Sequence, residues 1–272
     1  MSASSSPSAA RRRPWWRRLA SATLNSLTVP LIVFTAWGVW STFWHPKFFP
    51  VPHKIVRAFI DTWIGPAFTH DVLPSLTRLA LGLAASIAIG IVVGTLIGLV
   101  RWLRELLEPI LEFFRAIPPP AMIPVMALFF GLTNAMKIAV IILGAMWPVL
   151  LNTIDGVRST DSVMKDTARS FGISGFDRVR YLILPAANPR IMAGIRQAMA
   201  IGLILMVISE MFYASEGLGK QIIYFQRNYL IAEMWSGIVL LGLVGVLMAA
   251  IFSFVERRTL RWYHGLKEVE HG

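Results

Sequence analysis

The chain has 272 residues, of which 56% are hydrophobic and 15% charged, with a mean hydropathy of +0.61. A soluble domain carries about 25% charged residues. Here the apolar residues fall in blocks near the length of a membrane span, which excludes a soluble globular protein and points to an integral membrane protein. The net charge of +11 comes from basic residues that flank these blocks, so it fits an anionic membrane face rather than nucleic acid; the absence of cysteine excludes disulfides, a thiolate nucleophile and a cysteine metal site.

The N-terminus, "SASSSPSAARRRPWWRRLA", is low in complexity and then basic. Its following apolar stretch is longer than the roughly 7–15 residues of a signal-peptide core, and no small-residue cleavage site follows. The expectation is a cytoplasmic tail over 1–23, then a retained span over 24–44, with Trp15 and Trp16 suited to a headgroup interface. The block at 79–100 is the clearest span. Its Gly82, Gly90, Gly94 and Gly98 include a run at four-residue spacing, which lets helices approach closely in lipid.

The third apolar region, 109–132, is interrupted by Pro118, Pro119 and Pro120, which cannot sit in an ordinary helix interior. It reads as a helix to Ile117, a break, and a second segment from Ala121, packed inside the protein because broken backbone is not tolerated against lipid. Further spans are expected at 138–154, 191–212 and 235–255. That makes six spans in a permease domain over 24–256, followed by a cytoplasmic tail over 257–272. With the N-terminus inside, 19 of the Lys and Arg fall on the inner side and 7 on the outer, which puts both termini in the cytoplasm.

The same count puts the stretch between the fourth and fifth spans inside. It parses as two short helices. Thr160 or Asp161 can cap the first, whose Val163, Met164, Thr167, Ala168 and Phe171 share a face, while Asp166 and Arg169 can pair opposite. Gly172 stands where a helix end favours a left-handed residue. Ser174 and Asp177 have the spacing of a capping box, Phe176, Val179, Leu182 and Ile183 form an apolar stripe, and Pro185 is expected to end the second helix. A hairpin with one greasy and one charged side either packs on its own membrane domain or docks a soluble partner.

The spacing Asp166-Thr167-Ala168, then Gly172, then Leu182-x-Leu184-Pro185 resembles the EAA loop of ABC importer permeases, with Asp for Glu, Thr for Ala and Leu for Ile. "FFPVPHKIVRAF", "LEFFRAIPPPAMIPV", "LLNTIDGVRSTD" and "SEMFYASEGLGKQI" extend the likeness from about 49 to 263, and look like the nitrate/sulfonate/taurine branch. The resemblance implies an all-α polytopic bundle of the type I importer fold, whose loop, about 158–189, is a cytoplasmic coupling helix. It also implies the partners: cytoplasmic ABC ATPase subunits, a second permease subunit forming a homodimer, and an external or periplasmic solute-binding protein, all at the inner membrane. ATP and Mg would sit on the ATPase. The coupling contacts it implies are Asp166, Thr167, Ala168, Arg169, Phe171, Gly172, Phe176, Asp177, Leu184 and Pro185. The solute would be small, such as an aliphatic sulfonate, taurine, nitrate or a vitamin precursor.

The chain has no G-x-x-x-x-G-K-[ST] pattern, and "SEGLGKQ" reads as a turn, so hydrolysis belongs to a partner and the chain is not itself an enzyme. Polar groups in or near apolar spans are candidates for the pathway or its gate: Glu210 with Ser209, and Asn152, Pro119 and Met122. For Glu210 the competing reading is a carboxylate paired to Arg227, Lys220 or Arg78. An ion-coupled secondary transporter is the alternative function; it predicts carboxylates or histidines buried mid-span and leaves the hairpin without a purpose.

Overall fold

A computed structural model describes residues 15–44 and 47–261. The expected tail over 1–14 and the end of the C-terminal tail, 262–272, lie outside the described residues. The chain divides into two units, Met1–Arg57 and Ala58–Gly272. In the first, α1 (Trp15–Trp44) begins ahead of the expected Leu24. Trp40 meets Phe49 edge-on at 5.8 Å between ring centroids. α2 (Pro52–Trp63) starts on a proline, whose fixed φ suits a first helical turn.

The second unit is built on α3 (Leu73–Leu99), α4 (Arg101–Ala116), α5 (Ile123–Phe130), α6 (Asn134–Arg158), α7 (Ser162–Ser170), α8 (Gly175–Arg178), α9 (Leu184–Tyr213), α10 (Leu218–Arg227) and α11 (Ile231–Thr259). Among the described residues four helical runs are long and apolar enough to cross a membrane, at 68–99, 134–158, 175–212 and 231–259. A fifth would be the pair α4 and α5, bent by 88° at the prolines. The six expected spans are therefore not all reproduced: 24–44 falls within α1, which is not among these runs. The expected break is present, since Ile117 and Pro118 are extended and a 3-10 turn, Pro119–Met122, leads into α5.

α6 is the centre. It packs on α3 along one side and α9 along the other, and 44% of its most apolar stretch is buried, against 11% for α11. The approach to α3 is set by glycine. A Cβ added at Gly82, Gly90, Gly94 or Gly98 would lie 2.6–2.8 Å from Ile141, Val149, Thr153 or Val157 respectively. All four glycines thus face α6, and Ser86, in the same row, donates its hydroxyl to Gly82 O at 2.7 Å. Without a hydrophobic drive between helices in lipid, this backbone-close packing is the main source of association. On the α9 side the close approaches are Gly144 on Leu205, Gly156 on Ala187, and Gly194 on Pro148 O and Asn152.

Two π-helical turns, Phe68–Val72 and Val179–Ile183, each stand just before a Leu-Pro pair, Leu73-Pro74 and Leu184-Pro185. A proline cannot donate its amide and its ring crowds the preceding turn. Widening that turn absorbs the misfit: Leu73 N–H bonds to Phe68 O and Leu184 N–H to Val179 O, five residues back. The helix then continues. This corrects the expectation that Pro185 ends the second hairpin helix, because α8, the π turn and α9 form one run from Gly175 to Phe212.

Candidate functional site

At one end of the bundle, the α10 end, charge is buried. Glu210 of α9 has no exposed surface. Arg78 of α3 donates from Nη1 to Glu210 Oε1 (2.7 Å), from Nη2 to Glu216 Oε1 (2.6 Å) and from Nε to Asn134 Oδ1 (2.8 Å). The Ser75 hydroxyl lies 2.8 Å from both Glu210 oxygens and accepts the Leu218 N–H at 2.9 Å. Gly219 N–H donates to Glu210 Oε2 at 3.1 Å. Beside them the buried Asp71 accepts from Gly217 N–H (2.9 Å) and Gln221 Nε2 (2.8 Å). Lys137, also buried, reaches Asn134 Oδ1 at 3.5 Å.

This network fastens α3, α6 and α9 to the start of α10. Gly217 makes it possible. Its φ of +126° disfavours a side chain, and a Cβ there would lie 2.6 Å from the Glu210 carboxylate. The glycines of "SEGLGKQ" therefore do more than turn the chain: their amides, at the first turn of α10, hold carboxylates of the same chain. Of the three possible partners for Glu210 the structure supplies Arg78. Asp71, Ser75, Asn134 and Glu216 escape sequence reading; the signal that could have found them is a paired set of glycine amides at a helix start, which calls for an anion.

The other pathway candidates are scattered. Ser209 is fully buried and donates to Met206 O at 2.9 Å. Asn152 donates to Pro148 O at 2.8 Å within α6. Pro119 packs on Gly144, and Met122, in the same 3-10 turn, is half-buried.

At the opposite end of α3 and α6 stands the hairpin. Asp161 caps α7, accepting the Val163 N–H at 2.7 Å. Gly172, at φ +74°, closes it: its N–H bonds to Arg169 O and the Ile173 N–H to Ala168 O, both at 2.9 Å. That pair of bonds is a Schellman motif, with Ile173 and Ala168 placed for its apolar contact. The expected capping box is not formed, since Ser174 has the extended backbone of an N-cap but makes no side-chain cap bond; Gly175, at φ +56°, opens α8 instead.

Of the implied coupling residues, Ala168 is buried, and Leu184 and Pro185 are half-buried where α9 begins. Asp166, Thr167, Arg169, Asp177, Phe171 and Phe176 are exposed. Asp166 and Arg169 do pair, at 3.2 Å, but both are 69% exposed, so the pair adds little stability. Phe171 and Phe176 are 78% and 74% exposed. Two large aromatics standing out of a stiff, doubly bonded turn are an unfilled contact surface on this chain.

Residues 86–261 match the family described as "Binding-protein-dependent transport system inner membrane component". The taurine transport system permease protein TauC of Escherichia coli (strain K12) is 29% identical over 93% of this chain and 94% of its own length. The bicarbonate transport system permease protein CmpB of Synechococcus elongatus is 29% identical over 90% of this chain and 85% of its own. Among solved structures, a chain of the MetNI methionine ABC transporter superposes with a TM-score of 0.60 at 20% identity, covering 71% of this chain and 96% of that one. Family membership sets aside the ion-coupled carrier. The chain belongs to the binding-protein-dependent transport system inner membrane components and is an ABC importer permease, a pathway subunit and not an enzyme.

Proposed function

We propose that residues 160–185 are the contact through which a partner ATPase drives this permease, and that the solute is a small oxyanion of the sulfonate or carboxylate kind. The observation that carries the first part is the exposed pair Phe171 and Phe176, flanked by Val163 and Met164, on a hairpin closed by Asp161 and Gly172. A partner cleft that accepts these side chains can move the hairpin as a rigid body. Because α8 runs into α9 without a break, that motion passes directly into a membrane-spanning helix. The second part rests on the solutes named for TauC and CmpB, taurine and bicarbonate, each with an oxyanion group.

In this reading the Lys and Arg asymmetry puts the hairpin and both termini in the cytoplasm. A second permease copy completes the pathway, an external binding protein delivers solute, and ATP and Mg stay on the ATPase. Glu210 and Ser209 belong to an outer gate held shut by Arg78, while Pro119, Met122 and Asn152 stand toward the pathway.

The test is ATP-driven solute uptake in vesicles carrying the complete complex. Gly172→Pro removes the amide bonded to Arg169 O and forbids the left-handed turn, so uptake should stop while the chain still inserts. Unchanged uptake would overturn the coupling assignment. Since the chain has no cysteine, a single Phe171→Cys reports the side directly: labelling by an impermeant thiol reagent only from the extracytoplasmic face would reverse the topology.

A further inference from the structure

Between the hairpin and the inner ends of α3 and α6 lies a cavity of about 230 Å³. Five cationic side chains line it, Arg104, Arg158, Lys165, Arg169 and Arg178, and no carboxylate does. They come from α4, α6, α7 and α8, so distant parts of the chain converge on one point. Val157 and Ile183 form an apolar floor.

Two features separate this cluster from an ordinary solvated basic surface. First, Arg104, Lys165 and Arg178 are half-buried rather than splayed into water, and the Nε of Arg178 is buried with no hydrogen-bond partner. A guanidinium N–H shut away from water without an acceptor is rare and calls for one. Second, four of the five cations form no ion pair. Of these five, only Arg169 has an ion-pair partner among the described residues, the exposed Asp166. Glu108, Glu112 and Asp155 share a neighbouring cavity with Arg104 and Arg158, yet none comes within ion-pair distance of them, Glu112 pairing with Arg115 instead. Like charges gathered in a concave site repel each other until an anion enters.

We propose that this cavity binds a phosphate group, offered by an anionic phospholipid headgroup or free in the cytoplasm, and that the bound phosphate ties the hairpin to the start of α4 and the end of α6. Guanidinium forks match phosphate oxygens in pairs, and three arginines besides the exposed Arg169 line this cavity. The cavity has room for a phosphate and a few waters but not for a folded segment. Its position at the ends of membrane-spanning helices, beside basic residues, is where anionic headgroups gather. The headgroup source rests on the cytoplasmic orientation proposed above.

The experiment uses the full chain without ATPase, so failure of the coupling assignment would not affect it. In one arm the chain sits in phosphatidylcholine bilayers containing phosphatidylglycerol, and tightly held lipid is counted by native mass spectrometry. In the other it sits in phosphatidylcholine alone and is titrated with inorganic phosphate by calorimetry. One retained phosphatidylglycerol per chain identifies a headgroup; saturable binding of phosphate identifies the free ion. Either supports the site, and neither overturns it. Arg158→Gln with Arg178→Gln should weaken binding by about tenfold for each arginine removed, whereas Arg257→Gln with Arg258→Gln, a charge-matched change outside the cavity, should leave it unchanged. Should the double variant fail to fold by circular dichroism, Lys165→Gln alone should weaken binding about tenfold. Variants that bind as the parent does, or an equal loss with Arg257→Gln and Arg258→Gln, would also overturn the proposal.

Discussion

The two ends of the bundle treat charge and grease in opposite ways. At the α10 end Asp71, Arg78 and Glu210 are buried and bonded to one another's neighbours, and even backbone amides are used up. At the hairpin end Asp166, Arg169 and Asp177 are open to solvent, and so are Phe171 and Phe176. One end is complete within this chain. The other leaves surface that only a second molecule can cover. Substitutions at the first should therefore cost stability as well as any gating, and those at the second should cost function with little loss of stability.

The largest expected effect is at Glu210. Glu210→Ala leaves the buried Arg78 with only the partly exposed Glu216 as a counter-charge and removes the acceptor of the Gly219 N–H, which should destabilise the chain by about 3 kcal/mol, read as thermal unfolding in detergent. The double change Glu210→Leu with Arg78→Met should cost less than Glu210→Ala alone, because an apolar pair replaces a charge pair without leaving either charge orphaned. A double variant less stable than the single one would mean the network is worth more than its desolvation cost.

Next is Gly217→Ala, which sets a methyl group against the Glu210 carboxylate at a φ that disfavours it; about 1–3 kcal/mol should be lost in the same assay. At the hairpin, Asp161→Ala removes one cap from α7, worth about 1 kcal/mol at most locally, and should speed amide exchange at Val163 with little change in global unfolding. The smallest effect on stability belongs to Phe171→Ala with Phe176→Ala. Both side chains are exposed, so the shift should stay within about 0.5 kcal/mol. The same pair should abolish the stimulation of partner ATPase by loaded binding protein. A large stability loss here, or retained stimulation, would break the contrast between the two ends.

Much of the hairpin was legible because its signals are local. An aspartate before a helix and a glycine after it act on amides two to four residues away, and Asp161 and Gly172 do so here. The four-residue glycine spacing in 79–100 was legible for a related reason, since side chains at that interval share a helix face whatever lies opposite. Ser174 and Pro185 were misread. A capping pattern states what is possible, and Gly175 in a left-handed conformation supplied a different start. A proline breaks a helix unless the turn before it widens, and nothing in the residues from Val179 to Ile183 announces that they will do so.

By itself, then, the sequence determined that this is a membrane protein, where its apolar runs lie, and that a capped, glycine-closed hairpin stands between two of them, because hydropathy and capping act within a few residues. The tertiary structure decided the rest. It chose Arg78 over two other cations for Glu210, across 132 positions of chain, turned the glycines of "SEGLGKQ" onto the chain's own carboxylates, and drew five cations from four helices around one cavity. Such contacts depend on which helix faces which, and here that was settled by how closely α3 and α9 could approach α6.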